Sequence, residues 1–434
     1  MILYTERISS RLTYIAEFLS REILEEALVI TRDPNHFQQY EGPRINYSPQ
    51  VLTDREIRIP PEGLLFETGI QTRNIEMKQW ENLPVFFSTP GDIPFDLLSA
   101  SFYLISRYEE YGPYQKDEYG RYGHTNSLAF QQGFLHRPLV NEWIQAFKKQ
   151  IQVQFPDFSF RPRVFDLLPT YDIDIAYSFK GKGFWRNTAG ALASLIQGKW
   201  SSFRHRLAVL NGKSPDPYDA YAWLEELHIQ TEYPAIYFFH LGKKQAGYDK
   251  SISPSQPVLQ QLIRETASHV SVGIHPSWRS GDQEELLREE MDQLAKLTGK
   301  EVTLSRFHYI RFQLPHSYRR LIRDGIKQDH SMGYGSINGF RASVASPFYW
   351  YDLEKEERTG LLLYPFCFMD ANSFFEQKQT AAEAGEEMKG YAERVRNVEG
   401  MMVMIWHNNF LGTDPAFSGW REGYAQFLLS QQSL

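Results

Sequence analysis

From residue 164 onward, short apolar segments alternate with segments of helical periodicity, and this alternation limits the possible folds more than any other feature. The predicted strands are 164–170, 234–240, 270–274, 302–307, 326–329, 361–369 and 401–406. The predicted helices are 218–229, 257–268, 283–297, 315–324, 376–397 and 417–430. Repeated β/α units of this kind build a parallel sheet. The periodicity is compatible with a barrel and with a doubly wound sheet.

Residues 1–160 are predicted to form a separate, smaller α/β domain, with residues 161–434 as the second domain. At 434 residues the chain is long for one core,. Strands are predicted at 1–4 and 27–30, and helices at 12–23, 95–111 and 139–151. The sequence of residues 1–160 contains no recognisable catalytic constellation, so we expect the chemistry to lie in the second domain.

Composition excludes several classes of protein. The formal net charge is −7, and this overall negative charge does not favour binding to nucleic acids,. The lone cysteine, Cys367, excludes internal disulfides and a cysteine-rich metal site, and it fits a reducing compartment,. The first 18 residues include four charged ones, unlike a signal peptide,. No stretch approaches the roughly 20 apolar residues that span a bilayer, and we expect a cytoplasmic protein.

Two carboxylates directly follow the first strand of the alternating region. The segment 170–174 reads Thr-Tyr-Asp-Ile-Asp, so Asp172 and Asp174 would project to the same side of an extended chain,. They would lie at the C-terminal end of the strand, where barrels and open sheets place their chemistry. Two carboxylates this close repel unless one is protonated or a cation lies between them.

Later strands also end in polar groups. His275 and His407 each follow a largely apolar strand, Asp370 follows 361–369, and Arg306 and His308 lie near the end of 302–307. Carboxylate and imidazole groups suit Zn²⁺ and similar divalent ions. The HExxH protease signature is absent,. We therefore expect Asp174, His275 and His407 to share one cavity, within about 12 Å of one another.

The order of these motifs resembles the polysaccharide deacetylases of the NodB-homology type, carbohydrate esterase family 4. Segment 170–174 is similar to their first motif, 275–279 to the second and 405–407 to the last, with Arg306 in place of the arginine of their third. Gly333-Tyr334 and Gly339-Phe340-Arg341 resemble a variant branch that has an α/β domain before the catalytic part. The resemblance implies an incomplete (β/α) barrel preceded by a smaller α/β domain.

The resemblance also implies a metal-dependent N-deacetylase acting on an N-acetylated sugar of a glycan or glycolipid precursor. A divalent ion, Zn²⁺ by preference, would be held by Asp174 and His275. Asp172 would be the general base, kept ionised by Arg306, and His407 the acid, oriented by Asp370 or Asp329. Trp278, Tyr334, Trp406 and Arg341 are the predicted substrate-binding residues.

One position departs from the family pattern. Arg279 stands where the second histidine of the second motif would ligate the metal, and a guanidinium cannot do so. His308 is the predicted replacement, with His240 as the next candidate. Two other functions stay open: a glycosyltransferase that uses Asp172 and Asp174 as a D-x-D metal motif, and an inactive glycan-binding relative.

The segment 180–213 interrupts the β/α pattern. Between Asp174 and Asp216 there is no acidic residue, whereas seven lysines and arginines occur there. A helix with apolar periodicity is predicted within 190–210. A basic amphipathic helix suits an anionic membrane or an acidic glycan. The alternative is a solvated cover over the mouth of the barrel.

Overall fold

The structure is a computed structural model that describes residues 1–243 and 247–432. In the first part of the chain the strands are β1 (Ile2–Thr5), β2 (Val29–Thr31), β3 (Arg44–Tyr47), β4 (Ile57–Arg58), β5 (Lys78–Trp80) and β6 (Leu83–Val85). The helices are α1 (Ser10–Ile23), α2 (Pro34–Gln39), α3 (Leu97–Ile105), α4 (Leu128–Gln131) and α5 (Leu139–Gln154). A parallel sheet in the order β2-β1-β3-β4 forms its centre.

The second part contains the remaining strands and helices. The strands are β7 (Asp166–Ile173), β8 (Ile236–His240), β9 (Ser271–His275), β10 (Leu304–Ser305), β11 (Gln328–Asp329), β12 (Phe348–Asp352), β13 (Glu357–Leu363), β14 (Phe366–Met369) and β15 (Met401–His407). The helices are α6 (Phe184–Ile196), α7 (Trp200–Leu210), α8 (Tyr221–Thr231), α9 (Pro257–His269), α10 (Glu284–Thr298), α11 (His316–Arg323), α12 (Ala381–Asn397) and α13 (Trp420–Gln431). Among the helices of residues 1–243 and 247–432, none combines the length and the apolar character that crossing a bilayer requires.

The described strands of the second part form one sheet in the order β12-β13-β11-β10-β9-β8-β7-β15-β14. β13 and β14 are two halves of the continuous segment 357–369. The first half pairs in parallel with β11 and the second half pairs in parallel with β15. This segment therefore connects the two sides of the curved sheet, but the hydrogen-bond ladder along it is interrupted between β13 and β14. The second part is thus an incomplete (β/α) barrel, as predicted.

Several strands differ from the predicted elements, and β3 to β6 of the first part were not predicted. The predicted strand 361–369 is divided at Tyr364 and Pro365, because proline has no N–H to donate to a ladder,. β12 was not predicted, and it pairs antiparallel with β13 at the edge of the sheet. In the first part, the predicted helix 95–111 ends at Ile105, because Arg107 adopts a left-handed conformation with φ 55°,.

The two parts of the chain share one continuous hydrophobic core, which includes residues from β1 and α1 as well as from β15. A buried ion pair lies at the junction. Arg341 donates to both oxygens of Glu110, at 2.8 and 2.6 Å, and Arg107 Nε donates to the same carboxylate at 2.7 Å. The boundary near residue 160 stays a prediction, and the contacts indicate that the two parts fold against each other.

Replacing Glu110 by glutamine is expected to destabilise the protein by about 3–5 kcal/mol, because buried Arg341 loses its anionic partner,. Buried Arg107 loses one of two, since it also pairs with Glu109. Burial acts to raise the pKa of Glu110, but Arg341 and Arg107 outweigh it and lower the pKa below its usual value. The ion pair therefore stabilises the fold at neutral pH, and this contribution is lost as the pH falls through the folded-state pKa.

Urea unfolding monitored by fluorescence measures this loss of stability. The matched control is Glu289→Gln, because Glu289 pairs with Lys243 at an exposed site, where an ion pair contributes at most about 1 kcal/mol. Equal unfolding midpoints for the two variants would contradict the role assigned to Glu110.

Candidate metal centre and active site

The register of the barrel strands brings polar side chains to one level at their C-terminal ends. Asp172 of β7 is paired with His407 of β15, and His240 of β8 is paired with His275 of β9. Side chains at the carboxyl ends of parallel strands meet at one mouth. Asp174 follows directly after β7. The strands β7, β8, β9 and β15 therefore all contribute polar groups to this mouth.

Asp174, His275 and His308 form a cluster whose potential ligand atoms all lie within 4.8 Å of one another. His275 Nε2 is 3.0 Å from Asp174 Oδ1, and His308 Nε2 is 3.5 Å from Asp174 Oδ2. Ligands of a tetrahedral Zn²⁺ at bond lengths near 2.0–2.1 Å are separated by roughly 3.3 Å. The cluster therefore has the residue types and the approximate spacing of a zinc site, and it contains the predicted replacement ligand His308.

The hydrogen bonds of His275 test whether a cation fits this cluster. Its Nδ1 lies 2.6 Å from the carbonyl oxygen of Arg306, which can only accept, so Nδ1 carries the proton,. In the neutral ring, Nε2 is then an acceptor facing Asp174 Oδ1, a buried oxygen without a hydrogen-bond partner among the described residues. Two acceptors at 3.0 Å need a proton or a cation between them,. The donor set fits a divalent ion.

Asp172 lies beside this cluster and is bound by a buried arginine. Arg306 Nη1 donates to Asp172 Oδ1 at 3.0 Å and to Thr170 Oγ1 at 2.7 Å. The guanidinium carbon of Arg306 lies 4.5 Å from the centroid of the Phe238 ring. Gly273 leaves room for that ring, since a Cβ at this position would approach it to 2.6 Å. The second Asp172 oxygen, Oδ2, is 3.8 Å from His275 Nε2, so it faces the cluster.

His407 and Asp370 form a pair on another side of the cluster. His407 Nδ1 is 2.6 Å from Asp370 Oδ1, and the backbone N–H of His407 donates to Asp370 Oδ2 at 2.7 Å. This leaves His407 Nε2 directed inward, 3.8 Å from Asp174 Oδ2. Of the two carboxylates predicted to orient His407, Asp370 is the one in contact. Asp329 instead accepts hydrogen bonds from Ser331.

The charges of the cluster shift the pKa values of its members. For Asp174, burial acts to raise the pKa, but the neighbouring histidines, His308 first, outweigh it and hold the pKa well below the usual value. Burial alone would lower the pKa of His407, but Asp370 raises it to about 10. Burial also opposes the charged form of His308, whereas Asp174 and Asp249 raise its pKa to about 9. The carboxylates therefore attract positive charge to this site, whether protons or a metal ion.

The cluster opens into a cavity of about 600 Å³, which is within the usual size of small-ligand sites,. Its walls include Asp172, Asp174, His275, His308 and His407. The other lining side chains were missed by the sequence analysis, and they include Glu118, Tyr119, Arg121, Tyr309, Asn372, Phe375, Glu376, Lys378, Asn409 and Phe410.

Part of the cavity wall comes from the first 160 residues, whose role the sequence analysis left open. Arg121 Nη1 donates to the carbonyl oxygen of Tyr309 at 2.6 Å and fixes a loop that carries Glu118 and Tyr119. Tyr309 and Ile310 have φ values of 58° and 54°. Such values are strained for these residues, above all for a β-branched one, and backbone strain is often found at functional sites.

Three of the four predicted substrate-binding residues are buried and lie outside the described lining of the cavity. Tyr334, Arg341 and Trp406 are buried to 2% exposure or less, and they are absent from the described lining of the cavity. Arg341 serves the ion pair with Glu110, and Trp406 packs on Tyr424 with ring centroids 4.5 Å apart. These positions argue against contact with substrate. Tyr334, Arg341 and Trp406 are packed in the protein core. Motif similarity alone cannot distinguish such core residues from residues that bind a substrate.

Trp278, the fourth predicted substrate-binding residue, is half-buried beside the mouth. Its ring stacks on Tyr248 at 4.2 Å and lies edge-on to Tyr119 and Tyr309, with centroids 6.1 and 5.5 Å away. Tyr119 and Tyr309 line the cavity. Trp278 therefore supports the aromatic wall from behind, and its predicted contact with substrate stays a prediction.

Asp249 is a further polar residue that the sequence analysis missed. It is 1% exposed, and its Oδ1 lies 3.5 Å from His308 Nδ1 and 3.9 Å from His240 Nε2. It also accepts the backbone N–H of Trp278 at 2.6 Å. His240, the next candidate ligand, thus shares Asp249 and His308 in a second cluster of possible ligands. Arg279, in the position of the missing histidine, is outside the described lining of the cavity.

Replacing Asp249 by asparagine is expected to weaken metal binding by about 10- to 100-fold, the usual cost of losing a partner that orients a ligating histidine. The physical reason is that Asp249 faces His308 Nδ1 and directs Nε2 towards Asp174. Competition with a chromogenic chelator measures the affinity. Asp282→Asn is the control, since Asp282 is exposed and pairs with Arg311. Unchanged affinity in Asp249→Asn would show that His308 is not oriented in this way.

Comparisons with known proteins were made for the whole chain. Residues 1–156 match a family model described as a family of unknown function, DUF7033. The match ends close to the predicted boundary at residue 160. No curated protein matches the chain.

Several solved structures are similar to about two thirds of this chain. A protein described as a polysaccharide deacetylase from Mycobacterium smegmatis is 13% identical, with 64% of this chain and 87% of that chain covered and a TM-score of 0.41. A polysaccharide deacetylase from Bacillus cereus is 14% identical, with 62% and 89% covered and a TM-score of 0.28. The catalytic domain of a peptidoglycan N-acetylglucosamine deacetylase from Eubacterium rectale is 13% identical, with 64% and 88% covered and a TM-score of 0.31. At such low values the likeness carries no argument about chemistry, which has to come from the side chains.

Proposed function

We propose that this protein is a metal-dependent N-deacetylase that acts on an N-acetylated sugar of a glycan or glycolipid precursor. One observation carries the proposal. Three groups with different chemical capacities face one cavity: the Asp174, His275 and His308 cluster, the Asp172–Arg306 pair and the His407–Asp370 pair. Hydrolysis of an amide needs an activated water, a base and an acid, and these groups can supply all three.

The metal ion, Zn²⁺ in this proposal, would be held by Asp174, His275 and His308. When bound, a divalent ion lowers the pKa of a water molecule and polarises an acyl carbonyl. The donor set of one carboxylate and two imidazoles suits zinc. The hydrogen bond from His275 Nδ1 to the carbonyl oxygen of Arg306 fixes that ring with Nε2 directed into the site,.

Asp172 is the proposed general base. Arg306 donates to its Oδ1 and so orients the carboxylate, while its Oδ2 faces the cluster, where it can accept the proton of the attacking water,. A C–O bond then forms between this water and the acetyl carbon. The residue is 2% exposed, so bulk water does not compete with this transfer.

His407 is the proposed general acid. Burial opposes its charged form, but the Asp370 carboxylate raises the pKa of His407 to about 10, which keeps the imidazole protonated at neutral pH. Its Nε2 lies 3.8 Å from Asp174 Oδ2 in the wall of the cavity, where it can protonate the sugar nitrogen as the C–N bond breaks,. The products are acetate and a free amino sugar, and the proton that Asp172 accepted replaces the one that His407 gave.

The walls of the cavity support a sugar as the substrate. Tyr119, Tyr309, Phe375 and Phe410 provide aromatic faces, which stack on the apolar faces of sugar rings,. Glu118, Asn372 and Asn409 provide groups that can form hydrogen bonds with the hydroxyls of a sugar. A volume of about 600 Å³ accommodates a small part of a glycan rather than a single acetyl group,.

The glycosyltransferase alternative has less support. A D-x-D motif needs both carboxylates for a metal-bound nucleotide sugar, but one oxygen of Asp172 is occupied by Arg306. A glycosyltransferase mechanism also assigns no role to His275 and His407. The inactive glycan-binding alternative rested on Arg279, and the cluster with His308 provides a full set of ligand types without it.

The decisive experiment is acetate release from short N-acetylglucosamine oligomers by protein loaded with Zn²⁺, with the metal-free protein as control. We expect acetate only from the loaded protein. Calorimetry with a nucleotide sugar tests the second alternative on the same samples. Metal binding without acetate release from any N-acetylated sugar would overturn the deacetylase proposal.

A further inference from the structure

The hairpin of α6 and α7 exposes far more apolar surface than a solvated cover requires. Trp185 and Ile196 are 82% and 77% exposed. Within residues 184–210, all of which the structure describes, the buried positions of the two helices are Asn187 and Val209. The large exposed apolar side chains are Phe184, Trp185, Leu192, Ile196, Trp200, Leu207 and Leu210.

These side chains form a stripe on each helix. In α6, Trp185, Leu192 and Ile196 are separated by seven and four residues, so they lie on one face,. In α7, Trp200 and Leu207 are likewise seven residues apart. An apolar stripe on a helix is normally buried against another element, and patches left exposed mark a binding surface.

The charge of the hairpin indicates what binds there. The segment between Asp174 and Asp216 contains seven lysines and arginines and no acidic residue. Lys180 pairs with Asp219, whereas Lys199, Arg204 and Lys213 are exposed and have no ion pair with any described residue. A second copy of this hairpin would meet it with like charge, whereas an anionic surface is complementary.

The hairpin is located at the mouth of the barrel. It follows Asp174 in the chain, and Arg186 Nη1 donates to the carbonyl oxygen of Ser251 at 3.2 Å. Ser251 belongs to the loop after β8 that also carries Asp249, next to the metal cluster. A surface that binds the hairpin therefore lies at the same end of the barrel as the cavity.

We propose that the α6–α7 hairpin docks onto a membrane that contains anionic lipids. The apolar stripes enter the boundary between headgroups and acyl chains, and Lys199, Arg204 and Lys213 lie among the headgroup phosphates. If the proposed function holds, on which this last step rests, the substrate class is an N-acetylated sugar attached to a lipid carrier. The membrane then supplies the substrate directly at the mouth.

Co-sedimentation of the full chain with vesicles tests the docking. We expect binding to vesicles of phosphatidylcholine with phosphatidylglycerol, and little binding to phosphatidylcholine alone. Replacing Lys199, Arg204 and Lys213 together by glutamate should weaken binding by more than about 10-fold. The control is the same change at three exposed lysines on other faces: Lys149, Lys296 and Lys327.

A second pair of variants separates lipid from other ligands. Trp185→Ser with Ile196→Ser should weaken vesicle binding by more than about 10-fold, whereas Val153→Ser with Val164→Ser, also at exposed positions, should leave it unchanged. An acidic polysaccharide would need the charges but not the stripes. Three results would each overturn the proposal. They are the absence of vesicle binding, vesicle binding that is unaffected by the serine substitutions at Trp185 and Ile196, and self-association through the hairpin.

Acetate release distinguishes failure of the docking from failure of the proposed function. With a lipid-linked N-acetylated sugar in anionic vesicles, we expect both hairpin variants to lower the rate, and with a water-soluble oligomer to leave it unchanged. Vesicle binding without acetate release from either substrate would reject the deacetylase and retain the docking. Equal rates of the hairpin variants and the native protein on vesicles would reject the lipid-linked substrate.

Discussion

Asp172→Asn is expected to lower kcat for acetate release by about 10²- to 10⁴-fold, the usual contribution of a general base. The amide that replaces the carboxylate cannot accept the proton of the attacking water. The substitution preserves the size of the side chain, and it leaves the Asp174, His275 and His308 cluster untouched. Metal content should therefore stay at the native level while turnover falls.

The same substitution removes the anionic partner of buried Arg306, so loss of folding has to be separated from loss of chemistry. Thermal unfolding of the metal-loaded variant and its metal content provide that separation. Asp166→Asn is a matched control, since Asp166 is exposed at the other end of the same strand. A folded, metal-loaded Asp172→Asn variant with native turnover would exclude Asp172 as the base.

His275→Ala is expected to abolish metal binding at concentrations that saturate the native protein. Loss of a partner that merely orients a ligand costs about 10- to 100-fold in affinity, and loss of the ligand itself should cost more. Ligand binding to the folded state stabilises it in proportion to the logarithm of the ligand excess over Kd. Zn²⁺ should therefore raise the Tm of the native protein and leave that of His275→Ala unchanged.

Metal analysis after gel filtration and the Tm shift provide two independent measurements of this effect. His269→Ala is the control, because His269 is exposed at the end of α9, just before the strand that carries His275. If His275→Ala binds Zn²⁺ as tightly as the native protein, the ion belongs elsewhere. The second cluster, of His240, Asp249 and His308, is then the alternative, and His240→Ala tests it.

The sequence predicted the convergence of the site because strand ends in a parallel barrel share one mouth. Carboxylate oxygens of Asp174 lie 3.0 Å from His275 Nε2 and 3.8 Å from His407 Nε2, as close as a common site requires. Arg279 is excluded because a guanidinium cannot ligate a metal, and His308 is favoured because it lies two residues after Arg306, on the same side of an extended strand,. Its place in the cluster agrees with that choice, while its role as a ligand stays a prediction.

Contacts between distant segments could not be predicted in this way. Asp249 lies in a loop without periodicity, and nothing in the local sequence indicates that its carboxylate faces His308. Arg341 was assigned to substrate because its glycine-rich segment resembles a motif of the deacetylases. Its actual partner, Glu110, is far away in the sequence, and such a pairing becomes visible only in the folded chain.

The loop that Arg121 fixes against Tyr309 has a consequence for how such a protein can diversify. Glu118 and Tyr119 form part of the cavity wall, yet they precede the first barrel strand and hold none of the proposed catalytic groups. Under the proposed function, changes in this loop would alter which sugar is accepted and leave the proposed catalytic residues unchanged. One part of the cavity wall is thus encoded well before Asp174, His275 and His407, so substitutions there need not touch those residues.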